Sequence, residues 1–469
     1  MAASSRGAIR SGRVHRYTDE TERLARAIFD YALMRVQLDP PPLDGPRPAA
    51  ELEAAAGPTV TPDGIGGLEA LRVFADVLAP AIVSVDNPRN LAFVPAAPTE
   101  ASVLFDLVVG SGSMYGGSWL EAAGAVHAEN EALRWLADLA GLPPAAGGCF
   151  VSGGTLGNLG ALVAARHTAA ARREQRPRRW AIAATGDVHS SVHSVARVMD
   201  VDVLPVPADD EGRMTGVALD AAVRALEAEE FDGLFAVVAT AGTTNAGRID
   251  DLAGAAEVCA EHGLWLHVDG AYGGAALTAP SVRSRFNGVE RADSFIVDPH
   301  KWLFSPFDCC ALLYRDPELA RAAHSQKAAY LDAISSRQEW DPSDYAVHLS
   351  RRARGLPFWF SLATHGTNAY RDAVETTLAV TRDVARMIDS RPDFELVMEP
   401  ELSVLLFRRL GWTPDDYRRW SDHALVDQLC FTPPTTWRGE TVMRFCLVNP
   451  RTTLDDIGVI VESMAAFRT

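Results

Sequence analysis

A lysine stands inside Asp298-Pro-His-Lys301-Trp, just after the apolar run Ser294-Phe-Ile-Val297. A partly desolvated amine at such a place loses its proton more readily and can attack a carbonyl carbon to form an imine. The chain contains 42 arginines but only two lysines, Lys301 and Lys327. Arginine cannot take the lysine role, because its guanidinium does not lose its proton. Candidates for imine chemistry are therefore these two. A solvated surface lysine is the alternative for Lys301, though Asp-Pro-His-Lys-Trp is poor surface composition.

Asp269 ends a second apolar run, Leu266-His-Val-Asp269-Gly-Ala-Tyr, 32 residues before Lys301. An acid at the end of a strand faces the ligand side of a parallel sheet. There it can pair with a protonated pyridine nitrogen and keep a ring able to accept electrons. A helix cap or turn is the other use of an Asp in this position. Val151-Ser-Gly-Gly-Thr-Leu-Gly-Asn158 sets two adjacent glycines between a strand and a helix. Backbone N–H groups there can hold a phosphate, with the Thr155 hydroxyl near the cap. A tight strand–helix turn would use the same residues. His189, in Asp187-Val-His-Ser-Ser, is suited to stacking on an aromatic ring and to proton transfer, or to capping a helix. Ala239-Thr-Ala-Gly-Thr-Thr244 leaves another strand through small and hydroxyl residues, as a wall of the same site or as an ordinary exit.

These residues need a frame. Periodicity predicts strands at Cys149–Val151, Trp180–Ala184, Asp202–Val206, Leu234–Thr240, Leu264–Val268, Ser294–Val297 and Ala311–Tyr314. Helical patterns at Val126–Ala140, Leu156–Arg166, Val217–Ala228 and Asp251–Glu261 alternate with them. Apolar strands between amphipathic helices imply an α/β fold with a mostly parallel sheet, covered on both faces. Three regions emerge: 1–85, with a basic tail, a helix at Glu22–Val36 and a Pro-rich stretch at Asp39–Pro48; 86–365, the large domain; and 366–469, a small C-terminal α/β domain.

The bulk numbers restrict the partners. A net charge of −17 disfavours nucleic acid and anionic membranes. No stretch approaches the roughly 20 apolar residues of a membrane span, and no signal-peptide pattern opens the chain. The six cysteines show no metal spacing, which suits free thiols in a cytoplasmic protein, with no metal expected.

In their order and spacing, Ser152–Asn158, Asp187–Ser191, Gly242–Thr244, His267–Tyr272 and Ala292–Trp302 resemble the group II pyridoxal-phosphate (PLP) dependent amino-acid decarboxylases, among them the aromatic-L-amino-acid and glutamate decarboxylases. The similarity covers about 70–469 and includes Leu349-Ser-Arg-Arg-Ala-Arg and Met443–Thr453. It implies the PLP-dependent transferase fold, aspartate-aminotransferase-like, fold type I. It further implies that Lys301 carries the cofactor as a Schiff base, that Asp269 pairs with the ring nitrogen and that His189 stacks on the ring. Gly154, Thr155, Ser294 and His300 would surround the phosphate, Thr244 and Asp250 would line the site, and Asn158 belongs to the same cofactor shell. Tyr345 resembles a tyrosine on the family's mobile catalytic loop, here expected around 325–348, that returns a proton after carbon dioxide leaves. Phe93, Val94 and Pro95 resemble the substrate-side wall, and their apolar character favours an aromatic or aliphatic amino acid. The resemblance also implies a homodimer with exchanged N-terminal segments. Asp298 departs from the pattern, since the animal enzymes usually have Asn there, and the segment between Tyr345 and Leu349 is shorter by about three residues.

The expected reaction is decarboxylation of an L-amino acid to its amine. Two alternatives remain at this point. The first is an aldehyde synthase, which would release aldehyde, ammonia and peroxide, or another pyridoxal-phosphate activity on the same scaffold. A catalytically silent paralogue would act as a binding partner and carry no imine absorbance.

Overall fold

The computed structural model describes residues 15–326 and 339–468. The first part of the basic tail and residues 327–338, which include Lys327 and half of the expected catalytic loop, lie outside the described residues. The chain divides into two compact units, Met1–Ser84 and Val85–Thr469. In the first, Thr18 caps the helix Asp19–Val36, which buries none of its residues. The Pro-rich stretch forms no helix, and two short helices, Ala49–Ala56 and Gly67–Val73, follow it.

The second unit is built on a seven-stranded sheet. Its strands are β1 (Gly147–Val151), β2 (Ala181–Thr185), β3 (Asp202–Val206), β4 (Leu234–Thr240), β5 (Trp265–Asp269), β6 (Ser294–Val297) and β7 (Cys310–Tyr314), in the spatial order β1-β7-β6-β5-β4-β2-β3. All neighbours pair in parallel except β7, which runs against both β6 and β1. Every residue of β4 is buried. Its alternate side chains enter opposite layers: Val237 and Ala239 join one core cluster, Ala236 and Val238 the other. That is the alternation of a strand covered on both faces.

A second, antiparallel sheet follows: β8 (Phe394–Leu396), β9 (Val404–Arg409), β10 (Thr435–Trp437) and β11 (Glu440–Cys446), in the order β10-β11-β9-β8. It has its own core around Phe407, Trp420 and Phe445. Several hydrogen bonds join it to the main-sheet region, among them two that bear on the site. Tyr272 and Ser403 share a hydroxyl–hydroxyl hydrogen bond of 2.6 Å, and the Arg444 guanidinium donates to the Thr244 carbonyl. Among the described residues no helix is long and apolar enough to cross a membrane. All six cysteines are free and buried.

One buried ion pair fastens the segment that follows Tyr345. Arg351 meets Glu129 through two bonds of 2.7 and 2.8 Å, with both side chains almost wholly buried. Glu129 also accepts from the Gly355 N–H. Removing one partner strands the other charge away from water. Arg351→Ala is therefore expected to cost about 3–5 kcal/mol, measured as a fall in the urea-unfolding free energy.

Candidate active site

Four strand ends converge. Thr240 at the end of β4 pairs with Asp269 at the end of β5, which in turn pairs with Ile296 of β6. The chain leaving β6 turns through Asp298 and Pro299 to Lys301, and the chain leaving β2 reaches His189 four residues later. Lys301 Nζ lies 2.9 Å from a carboxylate oxygen of Asp298, with 21% of the lysine side chain still exposed. His189 lies within the electrostatic reach of Asp269, Lys301 and Asp298. Partial burial outweighs the two acids and lowers its pKa, so the imidazole is neutral near pH 7.

The helix Gly154–Ala171 opens on Gly153 with no side chain capping it. Its first N–H groups therefore point outward without an intrahelical partner. A Cβ built on Gly153 would meet only the His300 ring, at 3.8 Å, so the first turn is open to an anion. His300 is held by its Nδ1 against the Cys309 carbonyl at 2.6 Å, and its Nε2 lies 3.7 Å from Asp298. An uncapped helix start, a half-buried lysine and a strand-end acid thus lie around one another. A phosphate, an aldehyde carbon and a basic ring nitrogen require these three groups, and the residues fit pyridoxal phosphate. Gly242, at φ +108°, lets the β4 exit pass the Gly273 backbone, which a Cβ there would approach to 2.9 Å.

Asp269 is oriented by a directed series of hydrogen bonds. The Trp265 indole N–H donates to Ser294 Oγ, and Ser294 pairs with His267 Nδ1, each at 2.8 Å. His267 Nε2 meets Asn158 Oδ1 at 2.8 Å, and Asn158 Nδ2 donates to Asp269 Oδ2 at 3.0 Å and to Ser191 Oγ at 3.0 Å. Ser191 in turn lies 2.8 Å from His189 Nδ1, which also accepts from the Ser191 backbone N–H. Because Asn158 Oδ1 can only accept, His267 carries its proton on Nε2 and receives the Ser294 hydroxyl at Nδ1. By the same logic His189 accepts at Nδ1 and presents Nε2–H. Asp269 Oδ1 accepts from the Ala271 N–H.

Several expected residues have other duties. The Ser294 hydroxyl is occupied by Trp265 and His267, at the start of β6, and takes no place in the anion cradle. Asp250 accepts from the backbone N–H groups of Met214 and Thr240 and braces the end of β4; burial pushes its carboxyl up to about 7. Tyr345 is 2% exposed and stacks on Trp340, with ring centroids 4.1 Å apart. The Tyr314 hydroxyl holds its carbonyl at 3.1 Å. Aromatic stacking and this tether keep the phenol in the core layer, so the structure does not bring it to the lysine. Thr155 is exposed at the helix start, and Thr244 is half-buried with its carbonyl clamped by Arg444. Val94 and Pro95 are buried, and Phe93 is 67% exposed, edge-on to Phe431.

Residues 68–410 match the conserved domain of pyridoxal-dependent decarboxylases. The chain belongs to this family. It is 29% identical to an aromatic-L-amino-acid decarboxylase of Bacillus atrophaeus, over 82% of each chain. It is 30% identical to a histidine decarboxylase of Drosophila melanogaster, over 82% of this chain but only 48% of that longer protein. Its fold matches the Oryza sativa TDC solved with PLP and tryptamine at a TM-score of 0.86, with 23% identity over 95% of this chain and 96% of the other. The decarboxylase is a carboxy-lyase that uses pyridoxal phosphate to remove carbon dioxide from an amino acid.

His267 and Ser191 were present in the motifs but carried no assignment from the sequence. The signal was available for His267, since it and Asp269 are two apart on a strand and so share a face. Burial pushes the His267 pKa down to about 4. Between that value and the unfolded value of about 6.5, the unfolded chain binds the extra proton. Stability of the decarboxylase should therefore rise with pH across this window and gain nothing further from His267 above it. In His267→Gln this component of the rise should vanish, as read from unfolding free energies at pH 5 and 7.

Proposed function

We propose that the decarboxylase acts on an aromatic or aliphatic L-amino acid at the Lys301 cluster. The observation that carries this is the convergence of Lys301, Asp269 and His189 beside the open start of helix Gly154–Ala171. Lys301 would hold the cofactor, with Asp269 as the partner for its ring nitrogen and His189 as the group beside its ring. Gly154, Thr155 and His300 take the phosphate. When bound, pyridoxal phosphate supplies an electron sink for the pair left as the carboxylate carbon departs. The chain's part is to align that bond, exclude water and return a proton. His189 is the group suited to the last task, because it is neutral and presents Nε2–H. Tyr345 is withdrawn into the core. The apolar Phe93, Val94 and Pro95 support the substrate class, as do the names of the relatives.

We further propose that the protein is a cytoplasmic homodimer. The helix Glu100–Gly112 exposes Leu104, Leu107 and Val108 at helical spacing, and helix Asp19–Val36 exposes Ile28, Phe29, Leu33 and Met34. Apolar stripes of this kind favour burial against another copy. The partition into an N-terminal segment to residue 85, a large domain over 86–365 and a small domain over 366–469 belongs to the same reading.

The test is a screen of the common L-amino acids for carbon dioxide and amine release, with light scattering for the mass. Turnover of an aromatic or aliphatic substrate by a dimer is expected. Release confined to Glu or Asp would overturn the substrate class, and peroxide with aldehyde would overturn amine formation.

A further inference from the structure

A cavity of about 240 Å³ opens at the edge of the main sheet where β4, β5 and β6 begin, the edge opposite Lys301. Its walls come from the last turns of helices Gly154–Ala171 and Leu252–His262 and from Phe235, Trp265 and Asp293 beside the strand starts. Arg172 and Arg291 also line it, both exposed, and among the described residues neither side chain has a hydrogen-bond or ion-pair partner. A third arginine of the cavity, Arg173, is committed to the carbonyls of Ala169, Asp232 and Leu234. Asp293 Oδ2 accepts from the Leu266 N–H at 2.8 Å, while its Oδ1 receives no hydrogen bond among the described residues. Thr168 lines the cavity too, is 6% exposed, and has a hydroxyl without a partner among the described residues. A helical threonine can return its hydroxyl to a carbonyl one turn back, as Thr364, Thr376 and Thr381 do.

Unpaired arginines are common on a protein surface. These two differ in sharing one cavity with an acid that has a free oxygen, an unmatched buried hydroxyl and two helix ends. We propose that the cavity binds a free α-amino acid as its zwitterion. Arg172 and Arg291 take the carboxylate, whose two oxygens match the paired N–H groups of a guanidinium. Asp293 takes the ammonium, and the carbonyl ends of the two helices favour the same positive charge. A ligand with only a negative charge would face the Asp293 carboxylate and those carbonyls. A ligand with only a positive charge would face the two guanidiniums. Burial pushes the Asp293 carboxyl up, against its backbone hydrogen bond and the charges of Arg315 and Arg172, so the carboxylate gains from a further cation. The volume is that of roughly eight water molecules, which suits a small side chain, and Phe235 and Trp265 offer it an apolar wall. The Trp265 indole contributes its ring alone, since its N–H is taken by Ser294 Oγ.

The probe is L-valine, measured by equilibrium dialysis against holoenzyme reduced with borohydride, so that no amine exchanges at the cofactor. Isovalerate and isobutylamine are its analogues without the ammonium and without the carboxylate. Valine should bind saturably and slow hydrogen exchange over residues 168–173 and 259–266. Replacing Arg172 and Arg291 together by Ala, and separately Asp293→Asn, should each weaken valine binding about tenfold or more, the worth of a hydrogen bond to a charged group. The Asn side chain keeps an acceptor for the Leu266 N–H. The arginine variant should not weaken isobutylamine, and Asp293→Asn should not weaken isovalerate, because each analogue lacks the group that the changed residue holds. Valine binding undiminished in both variants, or no slowing of exchange in these two segments, overturns the proposal. Isovalerate binding as tightly as valine overturns the amino-acid assignment in favour of a plain anion. Should Asp293→Asn not fold, the arginine variant and the wild-type exchange pattern decide.

Discussion

Lys301→Arg protein purified with excess pyridoxal phosphate will be colourless, and its carbon dioxide release will fall by at least about 10³-fold, the upper part of what loss of one acid–base or charged group costs. The substitution keeps a cation beside Asp298, so the ion pair at 2.9 Å can be replaced. What it removes is the ability to shed a proton and bond to carbon. In the wild type, borohydride should abolish the visible absorbance and fix the cofactor's mass on the peptide that contains Lys301. The same mass on Lys327, or undiminished turnover in the variant, would end the assignment. Because Lys301→Arg preserves charge, a large loss cannot be explained by an unpaired buried Asp298.

Asp269→Asn should separate binding from chemistry. The variant is expected to keep its visible absorbance, since Lys301 and the helix start are untouched, yet lose about 10²–10³-fold in kcat, as when a charge aimed at a reacting centre is removed. Asp269 now accepts from Asn158 Nδ2 and the Ala271 N–H. A neutral amide has a single acceptor oxygen, so one of those donors is left unmatched. About 1–3 kcal/mol of stability should go with it. A kcat within threefold of wild type would mean that the acid does not tune the ring.

The strands at Asp202–Val206, Leu234–Thr240 and Ser294–Val297 have the bounds that periodicity gives them, because a short apolar run between polar breaks has few alternatives. Helix Glu100–Gly112 was not visible beforehand. Apolar side chains occupy both its buried and its exposed sides, so no amphipathic pattern marks it. The reversal of β7 was equally hidden, since pairing direction is a property of two strands and not of one. Within the site, the residues at strand ends were legible through their position after an apolar run. Tyr345 was not, because nothing local records that Trp340 and the Tyr314 hydroxyl draw it into a core layer. Ser294 was misassigned for a related reason. It starts β6, at the opposite end of that strand from Asp298 and Lys301, and only the fold shows which neighbours it meets there.

By itself, the sequence determined the candidates for the chemistry: two lysines, one of them between a strand end and a tryptophan, with a strand-end acid and a glycine pair upstream. The type of reaction followed from the resemblance of these motifs, in their order and spacing, to the pyridoxal-phosphate decarboxylases. The tertiary structure alone decided the protonation pattern. It aligned Trp265, Ser294, His267, Asn158 and Asp269 into one donor-to-acceptor series, and it set Asp298 against both the lysine and the helix start. Residue type fixes what a side chain can donate, accept or attack. Which of these it does depends on partners brought together from distant parts of the chain and on the water removed when they meet.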